Sequence, residues 1–266
     1  MTKEIDYDKN LVVTQDNRIT QTARAEKEAM SLTVYQKRLL LYLTSRIKPT
    51  DTELKTQEIT FSDYMSLTGL QRGGTQEQQI KKSILDLCRK KFLVDVTPTL
   101  TQVFSWIDDS KTEIDWEKKI IRTALGARLK DYFIGLSGKF TAYQLGYTTG
   151  FRSKYTYRLY EYLHSYIGQG GITIQKDDAY KILCDNKYDK VYDFERYVVE
   201  RAIEEINQFS DIEASYQRIT QRGKVVSFTF RVHSKTEKEK EIIRSRWIKK
   251  TSGKQVSAEI GEVLPF

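Results

Sequence analysis

The sequence is poor in the residues that build disulfide scaffolds and metal centres. Its two cysteines, Cys88 and Cys184, are far apart and belong to no Cys-x-x-Cys motif. Its two histidines, His164 and His233, form no His-x-His pair, and neither an HExxH motif nor an acidic metal-binding loop occurs. Disulfide-rich domains and zinc sites need such clusters. We therefore expect a metal-free protein that works in a reducing cytoplasm.

Motifs for nucleotide hydrolysis, serine hydrolysis and membrane insertion are missing as well. The pairs Gly138-Lys139 and Gly253-Lys254 lack the upstream glycine and the following Ser or Thr of a phosphate-binding loop. No Gly-x-Ser-x-Gly motif occurs, and no apolar run approaches the roughly 18 residues of a membrane helix. The sequence predicts a protein with no enzymatic activity, no cofactor and no membrane span.

Positive charge and tyrosine are abundant. The net charge is +8, its excess is spread evenly over both halves of the chain, and 17 residues are tyrosine. Hydrophobic residues make up 39% of the 266 residues, which is enough for two packed domains of roughly 100 to 150 residues each. Such a basic protein is typical of nucleic-acid binders, although many solvated protein surfaces have a similar charge.

The same order of predicted elements occurs twice. Each copy comprises a helix, a short strand that runs into a second helix, a turn, a third helix and two strands. In the first copy the third helix spans 75–91, and a polar wing tip is expected at 108–111. In the second copy the first helix spans 153–167 and the third 193–209, and the two strands meet at Arg222-Gly223. This is the order of a winged helix-turn-helix.

The repeat predicts an α+β fold of two tandem winged-helix domains. We place the N-terminal domain at 21–139 and the C-terminal domain at 140–233. A flexible segment, 1–20, is expected before them. The charged tail, 234–266, alternates its charges in the manner of a solvent-exposed helix or tether.

The third helix of the second copy has an apolar face and a polar face. Phe194, Val198 and Ala202 share the apolar face, which is expected to pack inward. On the polar face Glu200 and Glu204 would repel phosphates, so only the first two turns are expected to enter the major groove. Arginine pairs well there with a guanine edge. The candidate DNA contacts are Lys190, Asp193, Arg196 and Tyr197; the alternative for Arg196 is a solvated surface charge.

The third helix of the first copy has a similar division. Ile80, Ile84 and Cys88 form its inner face. Glutamine suits adenine, and lysine suits phosphate or guanine. The residues that are expected to point away from the core, towards DNA, are Gln79, Lys82 and Ser83, with Gln78 at the edge of that face.

Two basic sites flank the second copy. A helix begins near residue 153, and the free backbone N–H groups of a helix start favour phosphate. The tip of the second wing is also basic, and arginine there can reach a phosphate or the minor groove. Ordinary solvated turns are the alternative for both sites. Their candidate residues are Arg152, Ser153, Lys154 and Tyr155 at the helix start, and Arg222 and Lys224 at the wing tip.

Four segments resemble the iteron-binding plasmid replication initiators: SLTVYQKRLLLYLTSRI, VFSWIDD, SKYTYRLYEYLHSY and DFERYVVERAIEEINQFSDI. The resemblance runs from about residue 10 to residue 232, and 154–162 is its most specific part. It implies tandem winged-helix domains that bind direct repeats in double-stranded DNA at the origin of a bacterial plasmid. It also implies opening of an adjacent AT-rich segment and recruitment of host replication proteins such as helicase. In that family monomers initiate, while dimers repress the initiator's own gene.

The resemblance also implies roles for individual parts of the chain. Residues 153–155 match a helix start that contacts the DNA backbone, and Arg158 follows on the same helix. Residues 190–197 match the recognition helix of the second domain, with Glu195 where a basic residue is expected. The first domain is then expected to contact the backbone and form the dimer interface, and the second to be the main DNA-reading domain.

Three other functions stay open at this point. Two α+β domains of this order could bind only other proteins. A transcription regulator with the same fold would bind a single palindromic site and would not affect plasmid maintenance. A rolling-circle nicking enzyme would use a catalytic tyrosine and a metal ion, but the missing histidine pair argues against it.

Overall fold

The structure is a computed structural model of the chain, and it describes residues 11–15, 32–47, 51–68, 74–97, 99–134 and 140–251. The segment 1–20, except for 11–15, and the last part of the tail lie outside these residues. The helices are α1 (Val34–Ser45), α2 (Phe61–Thr68), α3 (Gly74–Arg89), α4 (Lys130–Phe133), α5 (Lys154–His164), α6 (Lys176–Cys184), α7 (the consecutive segments Val191–Phe194, Glu195–Glu200 and Arg201–Phe209) and α8 (Glu237–Thr251). The strands are β1 (Leu11–Gln15), β2 (Gln57–Thr60), β3 (Lys91–Thr97), β4 (Leu100–Ser105), β5 (Glu113–Asp115), β6 (Ile120–Thr123), β7 (Phe140–Gln144), β8 (Gly171–Gln175), β9 (Ile212–Gln221) and β10 (Lys224–Ser234).

The first module is a winged helix with an additional hairpin. Strand β6 pairs antiparallel with both β2 and β5, which gives the sheet order β2-β6-β5. The wing is therefore the β5–β6 hairpin, and β3 and β4 form a separate two-stranded hairpin between α3 and the wing. The expected wing tip at 108–111 is wrong. Asp108 caps a 3₁₀ turn there, where its Oδ1 accepts a hydrogen bond from Ser110 N at 3.1 Å.

The second module has the same strand order. Strand β10 pairs antiparallel with β8 and with β9, so that the sheet order is β8-β10-β9. In both modules the strand that precedes the second helix thus pairs with the last strand of the wing. The prediction of two tandem winged-helix domains is confirmed.

Helix α1 connects the parts of the core. It begins with a capping box, in which Thr33 Oγ1 accepts from Gln36 N at 3.2 Å and Gln36 Oε1 accepts from Thr33 N at 3.1 Å. Gln36 Nε2 then donates to the carbonyl oxygen of Ser83 at 3.2 Å and ties α1 to α3. A continuous hydrophobic cluster runs from α1 through α5 and α7 into the second sheet, so the two modules share a core.

The charged tail contributes a helix that docks on the connection between the modules. Ile243 of α8 is buried. The guanidinium carbon of Arg244 lies 5.8 Å from the ring centroid of Tyr147, in the 3₁₀ segment Leu145–Thr148. The expected helix is present, and one of its faces packs against the connection.

Candidate nucleic-acid interface

Helix α7 has the predicted apolar face. Phe194, Val198, Val199, Ala202 and Ile206 are fully buried, as expected from their spacing. The segment Glu195–Glu200 is a π-helical turn, a feature that occurs often at functional sites. One face of the first half of the helix therefore packs in the apolar core, and the opposite face is exposed to solvent.

Arg196 is displayed on that solvent face between two tyrosines. Its Nη1 donates to the Tyr192 hydroxyl at 2.8 Å, and its guanidinium carbon lies 5.8 Å and 5.6 Å from the ring centroids of Tyr192 and Tyr197. The ring of Tyr197 in turn stacks on Tyr188, with centroids 5.9 Å apart. Tyr192 is 63% exposed and Tyr197 46%. The hydrogen bond with Tyr192 raises the pKa of Arg196, and an arginine guanidinium is charged at physiological pH in any case.

Glu195 does not face solvent, although the resemblance places a basic residue there. Its side chain is buried and accepts a hydrogen bond from Arg218 Nη1 at 3.3 Å. Glu200 accepts from the Tyr216 hydroxyl at 3.2 Å. These contacts bring the exposed Arg218 of β9 beside α7. The sequence arguments missed Arg218, because their only wing candidates were at the hairpin tip.

The carboxylate of Glu205, a residue of α7, binds the N-terminus of α5. Its Oε2 accepts hydrogen bonds from the backbone N of Arg152 at 3.0 Å and of Ser153 at 3.3 Å, and from Thr156 Oγ1 at 2.6 Å. Ser153 Oγ caps the helix by accepting from Tyr155 N at 3.2 Å. The expectation of free N–H groups for phosphate is therefore wrong at Arg152 and Ser153, because a protein carboxylate already binds them.

The side chains of this helix start differ in what they offer to DNA. Arg152 is exposed, and Lys154 is half-buried with its Nζ 5.3 Å from the Tyr155 ring centroid. Burial, and then the neighbouring Arg158, lower the pKa of Lys154. Tyr155 itself is buried, and Arg158 is half-buried in an ion pair with Asp185 Oδ2 at 2.9 Å. Arg152 and Lys154 are thus the side chains best placed to meet a phosphate.

The tip of the second wing has the predicted turn. Arg222 and Gly223 both have positive φ angles, 50° and 76°, as a two-residue type I′ hairpin turn requires. The side chains of Arg222 and Lys224 are exposed. The wing therefore presents two cations at its end. The other two candidates, Lys190 and Asp193, lie at the start of α7.

In the first module the structure separates the predicted residues of α3. Gln78 and Lys82 are exposed and Gln79 is half-buried. The prediction that Ser83 points away from the core is wrong: it is only 3% exposed, on the side of α3 that packs against α1.

Lys81 belongs to the exposed face of α3 and was missed. Its Nζ lies 5.2 Å from the ring centroid of Trp116, which belongs to the turn of the first wing. Lys119, from the same turn, forms an ion pair of 2.6 Å with Glu77 of α3. The turn of the first wing thus contacts α3, a relation that no spacing along the sequence indicated.

Among the residues that the structure describes, no group of His, Cys, Asp and Glu side chains is arranged to hold a metal ion. No described helix is long and apolar enough to cross a membrane.

Comparison with known proteins places this geometry in context. The family profile "Initiator Replication protein, WH1" matches residues 12–164, and "Initiator Rep protein, WH2" matches residues 178–232. The crystal structure of Pi initiator protein in complex with iteron DNA is similar, with a TM-score of 0.67 at 16% identity, over 86% of this chain and 98% of that chain. Domains 2 and 3 of RctB align with a TM-score of 0.40 at 13% identity, over 81% of this chain and 84% of that chain. The likeness to Pi is a likeness of fold.

Proposed function

The chain belongs to the family of initiator replication proteins, and from this premise we propose that it initiates replication by binding direct repeats, or iterons, in double-stranded origin DNA. The observation that favours this most is the start of α7, where the exposed Arg196 lies between two tyrosine rings over a buried apolar face. The protein acts on a plasmid in a bacterial cytoplasm, and it acts by binding alone.

The first half of α7 is the base-reading element of the proposed complex. Arg196 forms a bidentate pair with the N7 and O6 atoms of a guanine in the major groove. Lys190, Asp193 and Tyr197 flank it. Glu200 and Glu204 are exposed on the second half, which limits insertion to the first turns because these acids would meet phosphates.

Phosphate contacts fix the register of the second module. The cationic side chains proposed for these contacts are Arg152, Lys154, Arg218, Arg222 and Lys224. Such contacts orient a protein on the duplex without reading its sequence. In the first module Gln78, Lys81 and Lys82 form a second, weaker set on α3. Because the modules are joined, the binding of one raises the effective concentration of the other.

Later steps follow from occupancy of several repeats. Adjacent initiators bend the origin and lower the cost of opening an AT-rich segment, whose steps deform easily. The bound array then recruits host replication proteins such as helicase. These steps rest on the family, while the DNA contacts rest on the described side chains.

Binding to repeat DNA tests the proposal directly. The purified chain is expected to prefer direct repeats from the DNA upstream of its own gene over a scrambled duplex of equal length and composition. With about six phosphate contacts, the logarithm of the binding constant should fall with the logarithm of salt concentration with a slope of about −5. Equal and weak binding to both duplexes would contradict the proposal, and a single palindromic footprint would indicate a transcription regulator.

We also propose that the β3–β4 hairpin is the dimer interface through which the protein represses its own gene. Leu93 and Val103 are directly opposite each other across the hairpin and are 46% and 52% exposed. Leu100, near the tip, is exposed as well. Apolar side chains in such an arrangement, on a short hairpin that pairs with no other strand among the described residues, favour association with a second copy.

A charge on this hairpin is expected to weaken self-association. Val103→Lys should raise the dimer dissociation constant about tenfold or more, because an unpaired ammonium group would be buried in the interface. Sedimentation velocity over a concentration series measures this. Ile242→Lys, an exposed apolar residue on α8, is the matched control and should leave dimerisation unchanged. Dimerisation of Val103→Lys at the wild-type concentration would place the interface elsewhere.

A further inference from the structure

Glu205 is a buried carboxylate on α7: its Oε1 pairs with Arg201 Nε of the same helix at 3.7 Å, and the partners of its Oε2 lie outside that helix. The residue is only 7% exposed. One of its oxygens, Oε2, accepts from the backbone of Arg152 and Ser153 and from the Thr156 hydroxyl. A carboxylate at this place is favoured by the partial positive charge of the α5 N-terminus. It links the helix that carries Arg196 to the segment that carries Arg152 and Lys154.

The linked segment is also held from its other side. Arg38 of α1 is buried, and its Nη2 donates to the carbonyl oxygens of Thr149 at 2.9 Å and Phe151 at 2.7 Å. The backbone between residues 149 and 153 is thus bound through its carbonyls by the first module and through its N–H groups by Glu205. The hydrogen bonds of Arg38 and Glu205 therefore fix the position of this segment relative to α7.

We propose that Glu205 is a positioning residue for DNA binding, which aligns the phosphate-contacting side chains of Arg152 and Lys154 with the base-reading Arg196. The inference rests on the proposed function. Glu205 itself does not touch DNA, because its oxygens are already bound within the protein. It converts a helix N-terminus, a common phosphate site, into a joint between two contact surfaces.

The alignment has a measurable signature in salt dependence. If the segment 149–153 is released from α7, Arg152 and Lys154 no longer meet phosphates while Arg196 still meets its base. Each lost phosphate contact reduces the salt slope by about 0.9. A residue that only stabilised the fold would lower the amount of active protein and leave the slope unchanged.

Variants of Glu205 and its partner are the test, with the full chain and the direct-repeat duplex. Glu205→Ala should reduce the salt slope by about 0.9 to 1.8 and lower affinity about tenfold at physiological salt, with discrimination against a scrambled duplex reduced only by the lost contacts. Glu205→Gln keeps an oxygen acceptor at the same place and should retain the wild-type slope. Thr156→Val removes one donor of the joint and should give a smaller change in the same direction.

Adding Glu205→Ala to a chain that already lacks both phosphate-contacting side chains shows whether Glu205 acts through the segment 149–153. In a chain that already has Arg152→Ala and Lys154→Ala, Glu205→Ala should change the slope no further. A slope equal to wild type in folded Glu205→Ala, or an additional change in the double-variant background, would overturn the inference. If Glu205→Ala does not fold, which thermal unfolding shows, a wild-type slope in Thr156→Val would overturn it. Absence of repeat-specific binding by the wild-type chain would instead refute the proposed function.

Discussion

Replacing Arg38 by alanine is expected to lower the free energy of unfolding by about 3 kcal/mol, because the variant leaves buried acceptors without a donor. Arg38 Nε donates to the Tyr157 hydroxyl at 2.9 Å, and Nη2 donates to the carbonyl oxygens of Thr149 and Phe151. Hydrogen bonds from a charged group contribute about 1.5–3 kcal/mol each, and the desolvation of the guanidinium offsets part of their sum. The loss falls on the connection between the two modules.

Urea denaturation followed by circular dichroism measures this effect. Arg89→Ala is the matched control, since Arg89 lies at the end of α3 and is exposed. Surface substitutions of that kind usually change stability by less than about 0.5 kcal/mol. A change below about 1 kcal/mol for Arg38→Ala would show that water or a rearranged side chain replaces the guanidinium, and the joint at residues 149–153 would then be weaker than its geometry indicates.

The fold was predictable because its helices have periodic apolar faces and recur in one order. In α7 the face that includes Phe194, Val198 and Ala202 is fully buried, as the sequence indicates, even though a π-helical turn interrupts the helix there. Helix α5 begins at the expected place, where Ser153 is its cap. The hairpin of β3 and β4 was not predicted as a separate unit, because short strands in succession do not reveal which of them pair.

The buried acids were not predictable. Glu195 and Glu205 lie among polar residues on a surface helix, where charged side chains are normally solvated. Their partners, Arg218 and the backbone of Arg152, are 23 and 53 residues away in the chain. Helical periodicity describes one helix and not what another element brings to it. The free helix N-terminus expected at residue 152 was wrong for the same reason.

Arg196 and Lys154 are expected to differ in how their loss affects DNA binding. Arg196→Ala should reduce base discrimination by about 10-fold to 100-fold, since a bidentate pair discriminates by about 1–3 kcal/mol. Discrimination here is the ratio of affinities for the direct repeat and for a repeat in which the contacted guanine is replaced. Lys154→Ala should weaken binding to every sequence by the same factor, so that discrimination is unchanged. It should also reduce the salt slope by about 0.9. Competition binding with the two duplexes, at several salt concentrations, separates the two effects.

Tyr192 provides the matched variants for this prediction. Tyr192→Phe retains the ring beside Arg196 but removes the hydroxyl that accepts from its Nη1, so the guanidinium loses one constraint on its orientation. Discrimination should then fall by less than in Arg196→Ala, while the salt slope stays the same, because no phosphate contact is lost. Equal losses on the direct repeat and on scrambled DNA for Arg196→Ala would assign that arginine to the backbone. The base-reading role would then pass to the other exposed side chains of the first turns, Lys190 and Tyr197.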